Sequence, residues 1–262
     1  MTRLKKLLFT ICCSLPLAHC GGDGGGSVSS SAGIIVTFQA TPQQSPAANG
    51  LIPISPAGNK TFFNTEGVKI TLTKAYLTLW SVNLEKNCDD ASFAFLKFNW
   101  LLPSAQAHAD DTPTRMGTPN VIDLLAAEET LFVLGETGPP PGDYCGVTVE
   151  LLKADQDAQY LPATVNMLDR TLYLEGEYIP LGSTEAVPFT IDTGRALREA
   201  RLRYAVPLTL SSSTQQATTT LSITYDRWFD GVNFAALSEQ TQQDWIFNQV
   251  TQSIRLVISS LD

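Results

Sequence analysis

NVIDLLAAEETLFVLGETGPPPGDYCGVTVELLK, residues 120–153, decides the fold class of this chain. At its start Val121, Asp123 and Leu125 alternate with Ile122 and Leu124, so neither side is strongly polar, as expected of a strand buried on both faces. A short polar excursion and a second short strand follow. Gly138-Pro139-Pro140-Pro141-Gly142-Asp143 excludes helix, because three prolines fix φ and supply no N–H while the flanking glycines permit a reversal. From there Cys145, Val147, Val149 and Leu151 form an apolar row that alternates with Tyr144, Gly146, Thr148 and Glu150. This period of two predicts a long strand whose apolar row, Cys145 included, faces a core.

The same pattern extends on both sides. Residues 33–40 (GIIVTFQA) read as a first strand because of their β-branched run. Residues 41–59 are loop, and residues 61–63 are a short strand. The longest strand-like run is residues 68–84, in which Val68, Ile70 and Leu72 share a phase that shifts near Lys74 and Ala75, as a β-bulge would shift it. Residues 93–100 (FAFLKFNW) read as a strand, and residues 101–118 and 154–166 as loops. Residues 170–179 and 187–192 alternate as strands. Residues 201–210 and 218–228 read as an antiparallel pair joined at 211–216. One helix is expected over residues 238–250, capped by Ser238, with Trp245, Ile246 and Val250 to one side. The last strand is residues 253–258. About nine or ten mostly antiparallel strands with one late helix indicate an all-β sandwich.

The N-terminal residues are a targeting segment. Arg3, Lys5 and Lys6 precede a short apolar run over residues 7–17, too short to span a bilayer. Leu17-Ala18-His19-Cys20 resembles a bacterial lipobox, although His19 stands where that pattern has a small residue. The resemblance implies a signal peptide over residues 1–19, lipidation of Cys20, and, from Gly21 in place of Asp, delivery to the outer membrane of the cell envelope. Residues 21–32 (GGDGGGSVSSSA) then form a tether with nothing to bury, about 20 Å end to end and about 40 Å when stretched. Residues 33–262 remain for the sandwich.

Five cysteines are present: Cys12 and Cys13 fall in the signal, and Cys20 is the lipidation site. Cys88 and Cys145 are left over in an oxidising compartment, where a disulfide between them is the simplest reading and two separate buried thiols the alternative. Without Arg3, Lys5 and Lys6 the 17 basic residues fall to 14 against 26 acidic ones, a net charge near −12. Such a surface disfavours nucleic acid and anionic head groups as partners.

With the strands placed, a family resemblance emerges. Val68-Lys69-Ile70-Thr71-Leu72-Thr73-Lys74, Ile122-Asp123-Leu124-Leu125 and Pro141-Gly142-Asp143-Tyr144 together resemble the strand and turn signatures of the bacterial lipoprotein domain DUF4382 over about residues 68–178. The strand order is also similar to that of the methanobactin-associated (MbnP-like) copper-binding periplasmic proteins. The copper ligands of that second family include histidine on the loop after the central strand. Here that loop, residues 154–160 (ADQDAQY), has none.

For chemistry, His108 is the one histidine after the signal, and with Asp110 and Asp111 it offers an imidazole and carboxylates of the kind that bind zinc or copper. Asp155 and Asp157, with Asp89 and Asp90, offer oxygens for calcium without the spacing of a known calcium loop. Solvated turn residues are the plainer account of both sets. Glu150, Glu175 and Glu177 could pair as glycosidase carboxylates only across a cleft. Trp80, Trp100, Trp228 and Trp245 read as core or sheet-edge aromatics, whereas exposed ones would mark a sugar-binding surface. No nucleophile elbow, zinc-protease helix or phosphate loop occurs in the sequence. The expectation is a non-catalytic, outer-membrane-anchored lipoprotein without a cofactor, held to the membrane by its lipid and acting as a binding or assembly module for an envelope protein or small ligand. The alternatives are a periplasmic copper- or zinc-binding protein and, third, a hydrolase.

Overall fold

Two sheets face each other across one apolar interior. The computed structural model describes residues 33–46, 56–86, 111–194 and 198–261, all within one compact unit, Ala32–Asp262. The smaller sheet has 4 strands in the order β12 (Ile254–Leu261), β11 (Gln216–Thr224), β1 (Ile35–Gln43) and β6 (Phe132–Thr137). The larger has 8 strands, with β10 (Arg198–Leu210), β7 (Gly142–Leu151), β3 (Lys69–Glu85), β8 (Leu172–Ile179) and β9 (Val187–Thr193) in line and β2 (Lys60–Phe63), β4 (Arg115–Met116) and β5 (Asn120–Asp123) also on β3. Among the described residues one α-helix, α1 (Gln240–Ser253), precedes β12. This is the all-β sandwich expected from the alternation.

The 17-residue β3 is the spine of the larger sheet. Its residues Tyr76 and Leu77 pair with both β5 and β8, and Val82 and Asn83 with both β4 and β7. A strand has two edges, so β8 and β7 follow one another along one edge while β2, β5 and β4 line the other. From Ala75 to Val82 every residue of β3 is buried, so both faces are covered there. The register breaks between Leu72 and Lys74, close to the expected bulge, and again between Leu79 and Ser81. Each extra residue turns the apolar row back inward, so that Ile70, Leu72, Ala75, Leu77, Leu79, Val82 and Leu84 all join the main core.

The stretch quoted first splits between the sheets, with β5 and β7 in the larger and β6 in the smaller. Ile122 joins the main core and Val121 a second, smaller cluster on the outer face of the larger sheet. That cluster is closed by the segment between β7 and β8, through Ala154, Ala158, Val165 and Met167. Residues 154–166 are therefore a cover for Tyr76 and Val121 as well as a loop.

Four expectations are corrected. Cys145 does not lie in the core row. Tyr144 is fully buried there while Cys145 is half-buried, its Sγ 3.3 Å from the Glu85 carbonyl oxygen. The pairing with β10 breaks between Arg203 and Leu208, where Pro207 lacks the N–H a ladder needs, and the inward phase of β7 shifts at that point. Second, β10 and β11 are not a hairpin: β10 pairs with β7, whereas β11 pairs with β1 in parallel and with β12. The chain changes sheets at residues 211–215, and Tyr225–Phe229 is a 3-10 turn rather than strand. Third, α1 is capped at Glu239, not Ser238, and no side chain supplies the cap bond. Fourth, Trp245 points outward from α1, which buries Ile246, Phe247 and Val250 instead. The strand expected at residues 93–100, with Trp100, lies outside the described residues.

Candidate functional site

β1 and β11 run parallel with Ile35 opposite Gln216 and Gln43 opposite Thr224. The domain's first strand therefore begins at one pole of the sandwich, and the β2–β3 turn, the 3-10 turn and α1 gather at the other. At this second pole polar groups meet three exposed apolar side chains, Phe63, Leu181 and Trp245.

It is built from the β2–β3 turn upward. Asn64 closes the turn with its own groups. Its carbonyl accepts from the Gly67 N–H at 3.0 Å, its Oδ1 accepts from Val68 N–H at 2.8 Å, and its Nδ2 donates to the Phe229 carbonyl at 3.1 Å. Gly67 sits at φ +82°, a conformation that favours glycine. The turn is then tied to the segment after the 3-10 turn. Thr65 N–H donates to Asp230 Oδ1 at 2.9 Å and Gly231 N–H to Glu66 Oε1 at 3.1 Å. The bonds from Gly231 and from the Thr65 hydroxyl hold the Glu66 carboxyl below the usual glutamate range. Trp245 Nε1 donates to the Asp230 carbonyl at 2.9 Å, and its ring lies over Gly231, whose missing Cβ would stand 3.3 Å from it.

Three large apolar side chains stand out from this frame: Phe63 is 65% exposed, Leu181 69% and Trp245 45%. Phe63 ends β2, Leu181 reaches toward Gly67, and Trp245 covers Gly231. Beneath them Phe62, Phe189, Phe229, Phe234 and Tyr178 pack ring against ring, with Phe229 and Phe234 stacked at 6.0 Å. The exposed groups thus ride on a rigid aromatic floor.

Deeper in the same pole lies a buried ionic cluster. The Lys60 and Glu128 side chains are 1% and 0% exposed, with Nζ and Oε1 3.5 Å apart. Lys60 Nζ also donates to the Pro56 carbonyl at 2.7 Å. Glu128 accepts from the Tyr225 hydroxyl at 2.5 Å and from Gln44 N–H at 3.1 Å. Burial pushes the Glu128 carboxyl up, against the pull of Tyr225 and Lys60, and pushes the neighbouring Asp123 carboxyl up as well. Burial and the adjacent carboxylate likewise push the Tyr225 phenol up. These groups face one another and not solvent, so they lock the ends of β1 and β2 to the 3-10 turn. Just outside, Asp226 Oδ1 accepts from Ser45 N–H at 2.8 Å and Arg227 Nε donates to Ser45 Oγ at 2.7 Å.

The residues singled out from the sequence fall elsewhere. Cys20, Cys88, His108, Asp110, Asp89, Asp90 and Trp100 lie outside the described residues. Asp111 accepts from Gly117 N–H at 2.6 Å, and Asp155 from Asp157 N–H at 3.0 Å, so both carboxylates brace turns. Among the described residues no three His, Cys, Asp or Glu side chains converge as a metal ion would need. Glu150 is engaged by Ser81 and Arg115. Glu175 is engaged by Lys74 at 2.9 Å and Tyr173 at 2.9 Å, which hold its carboxyl below the ordinary value, opposite to the shift a glycosidase acid needs. Trp80 and Trp228 are buried, as expected of core aromatics. The pole itself went unread because its members are scattered in sequence: Lys60, Glu128 and Tyr225 share no spacing, and each is an ordinary surface residue type when read alone. The one signal was Trp245 on a weakly apolar helix.

Comparison of the chain with known protein families, with curated proteins and with solved structures finds no match.

Proposed function

We propose that this chain is an outer-membrane-anchored lipoprotein, lipidated at Cys20, whose sandwich is a non-catalytic binding or assembly module of the cell envelope. The pole around residues 64–67 is its contact face. The observation that carries this reading is the exposure of Phe63, Leu181 and Trp245 on a hydrogen-bonded frame, remote from the pole where β1 begins. Large apolar groups held rigidly in water lose little conformational freedom when a partner covers them, and aromatic anchors dominate such interfaces. Phe63, Leu181 and Trp245 share the face with Glu66 and Asp230, so the partner is an envelope protein with an apolar patch rimmed by basic groups. The acidic balance of the chain fits such a partner and opposes nucleic acid. The likeness to the DUF4382 lipoprotein domain belongs to the same reading.

A Cys88–Cys145 disulfide completes it. Glu85 pairs with Gly146, and continuing that register sets Lys86 opposite Cys145. Cys88 follows Lys86 by two residues in the sequence, which supports the pairing.

Two measurements test the reading. Labelled palmitate should enter the protein in cells and be lost with Cys20→Ala, together with its membrane fractionation; retained label refutes the anchor. A photoreactive side chain placed at Phe63 or Leu181 in intact cells should give a discrete cross-linked species, and the same group at Val206 on β10 should not. Equal cross-linking at both places refutes the contact face.

A further inference from the structure

The Lys60–Glu128 pair differs from the surface ion pairs in what surrounds it. Lys74 and Glu175 are 37% and 36% exposed, and Lys153 and Asp169 52% and 79%, so water solvates those charges. Lys60 and Glu128 are 1% and 0% exposed. The Tyr225 ring, whose hydroxyl binds Glu128, packs edge-on against Phe62 at 5.9 Å, and Phe62 packs on Phe229 at 5.9 Å. Two charges held out of water recover only part of their lost hydration from one another. A bond that removes both charges ends that cost.

The Glu128 carboxyl is held as an acyl-transfer site holds its acyl group. The Tyr225 hydroxyl donates to Oε1 at 2.5 Å and the Gln44 N–H to Oε2 at 3.1 Å. Donors on both oxygens draw electron density from Cδ and stabilise the oxyanion that forms when a nucleophile adds there. The nucleophile at hand is Lys60 Nζ, 3.5 Å from Oε1 and fixed by its 2.7 Å bond to the Pro56 carbonyl. A lysine amine in a dry pocket attacks carbonyl carbon once it is neutral.

We propose that Lys60 and Glu128 condense to an intramolecular amide, a covalent staple between β2 and the segment that joins β5 to β6. One ammonium proton passes to the carboxylate, leaving an amine beside a carboxylic acid. The nitrogen lone pair forms a bond to Cδ, and the carbonyl electron pair moves to Oε1, where the Tyr225 hydroxyl holds it. The nitrogen gives up a second proton to the hydroxyl at Oε2. The pair on Oε1 returns, the Cδ–Oε2 bond breaks, and water leaves. The carboxyl available to relay that second proton is Asp123, whose proton affinity burial raises and the Leu125 N–H and the Lys60 charge lower. An ammonium and a carboxylate thus become one amide and one water, and no oxidant, reductant or outside reagent is consumed. The reacting groups already stand side by side, so no encounter has to be paid for in entropy. Exclusion of water from the site opposes the reverse hydrolysis. The folded chain starts as the ion pair, and the amide accumulates with time. The staple uses none of Phe63, Leu181 and Trp245, so it stands apart from the contact face.

The test is tryptic peptide mapping of the full-length exported protein, fresh and after prolonged incubation in the folded state, with denaturation and reduction before digestion. An ion pair dissolves under those conditions and an amide survives. Trypsin cuts after a free Lys60 and releases peptide 61–69 (TFFNTEGVK), whereas an acylated Lys60 blocks the cut. The expected result is a falling yield of peptide 61–69 as peptide 116–153, which carries Glu128, appears joined to the chain ending at Lys69, one water lighter than its two parts. Lys60→Met should give no joined peptide, and Tyr225→Phe, with circular dichroism unchanged, should form it more slowly. A full yield of peptide 61–69 from wild type after incubation, with no joined peptide, overturns the proposal. So does a joined peptide that forms as fast in denaturing urea as in the folded protein, and formation at the wild-type rate in Tyr225→Phe overturns the part given to that hydroxyl.

Discussion

Replacing Lys60 by methionine isolates the buried lock at the second pole. Methionine keeps the length and apolar stem of lysine, so the cavity stays filled while the charge is lost. The Glu128 carboxylate, 0% exposed, then keeps the Tyr225 hydroxyl and the Gln44 N–H but loses its cation. Breaking a buried ion pair from one side costs about 3–5 kcal/mol, because the remaining charge stays out of water uncompensated. The two surviving hydrogen bonds place the expected loss at the lower end, about 3 kcal/mol at pH 8. The glutamate can escape part of this cost by taking a proton. Burial already holds its carboxyl above the ordinary glutamate value, so the folded state binds more protons than the unfolded one above that value. Stability from this group is therefore fully present below the unfolded pKa and declines as pH rises through the folded one. Loss of Lys60 removes a stabilising charge and raises the folded value further, so the decline steepens. Urea denaturation of wild type, Lys60→Met and Lys60→Met/Glu128→Gln at pH 5 and pH 8 reads all of this. The single variant should lose more at pH 8 than at pH 5, and the double should recover most of the loss with a flatter pH dependence. A single variant within about 1 kcal/mol of wild type at pH 8, or a double no better than the single, would refute the reasoning.

Three further outcomes follow from the packing. Gly176→Ala would place a Cβ 2.2 Å from the Thr71 carbonyl oxygen, so the β3–β8 ladder must part, and thermal denaturation should show a loss of about 2 kcal/mol or more. Gly231→Ala meets both a φ of +71° and the Trp245 ring at 3.3 Å; a cost of about 1–2 kcal/mol is expected, with a change in tryptophan fluorescence that reports the displaced indole. Cys145→Ala should lower stability by about 4 kcal/mol in oxidising buffer and by little in reducing buffer, the chain-entropy value for closing the loop to Cys88; equal stabilities in the two buffers for wild type would dispose of the disulfide.

Strand alternation and turn chemistry were legible in the residues alone because they are local properties. The Pro139-Pro140-Pro141 turn, the alternation of residues 146–151, the phase shift near Lys74 and the double-sided burial of Val121 and Ile122 all declare themselves within a few positions. Partner choice was not legible. β10 and β11 are neighbours in sequence with hairpin-like spacing, yet they belong to different sheets, because the inward rows of each must close over the same core and only a change of layer at residues 211–215 allows it. Cys145 and Tyr144 exchange places with respect to the core because a proline in the strand opposite shifts the phase. The lock of Lys60, Glu128 and Tyr225 and the exposed set of Phe63, Leu181 and Trp245 were invisible for the same reason. Their members meet only after residues far apart in the chain are brought to one pole, and burial and exposure are properties of that meeting rather than of any residue type.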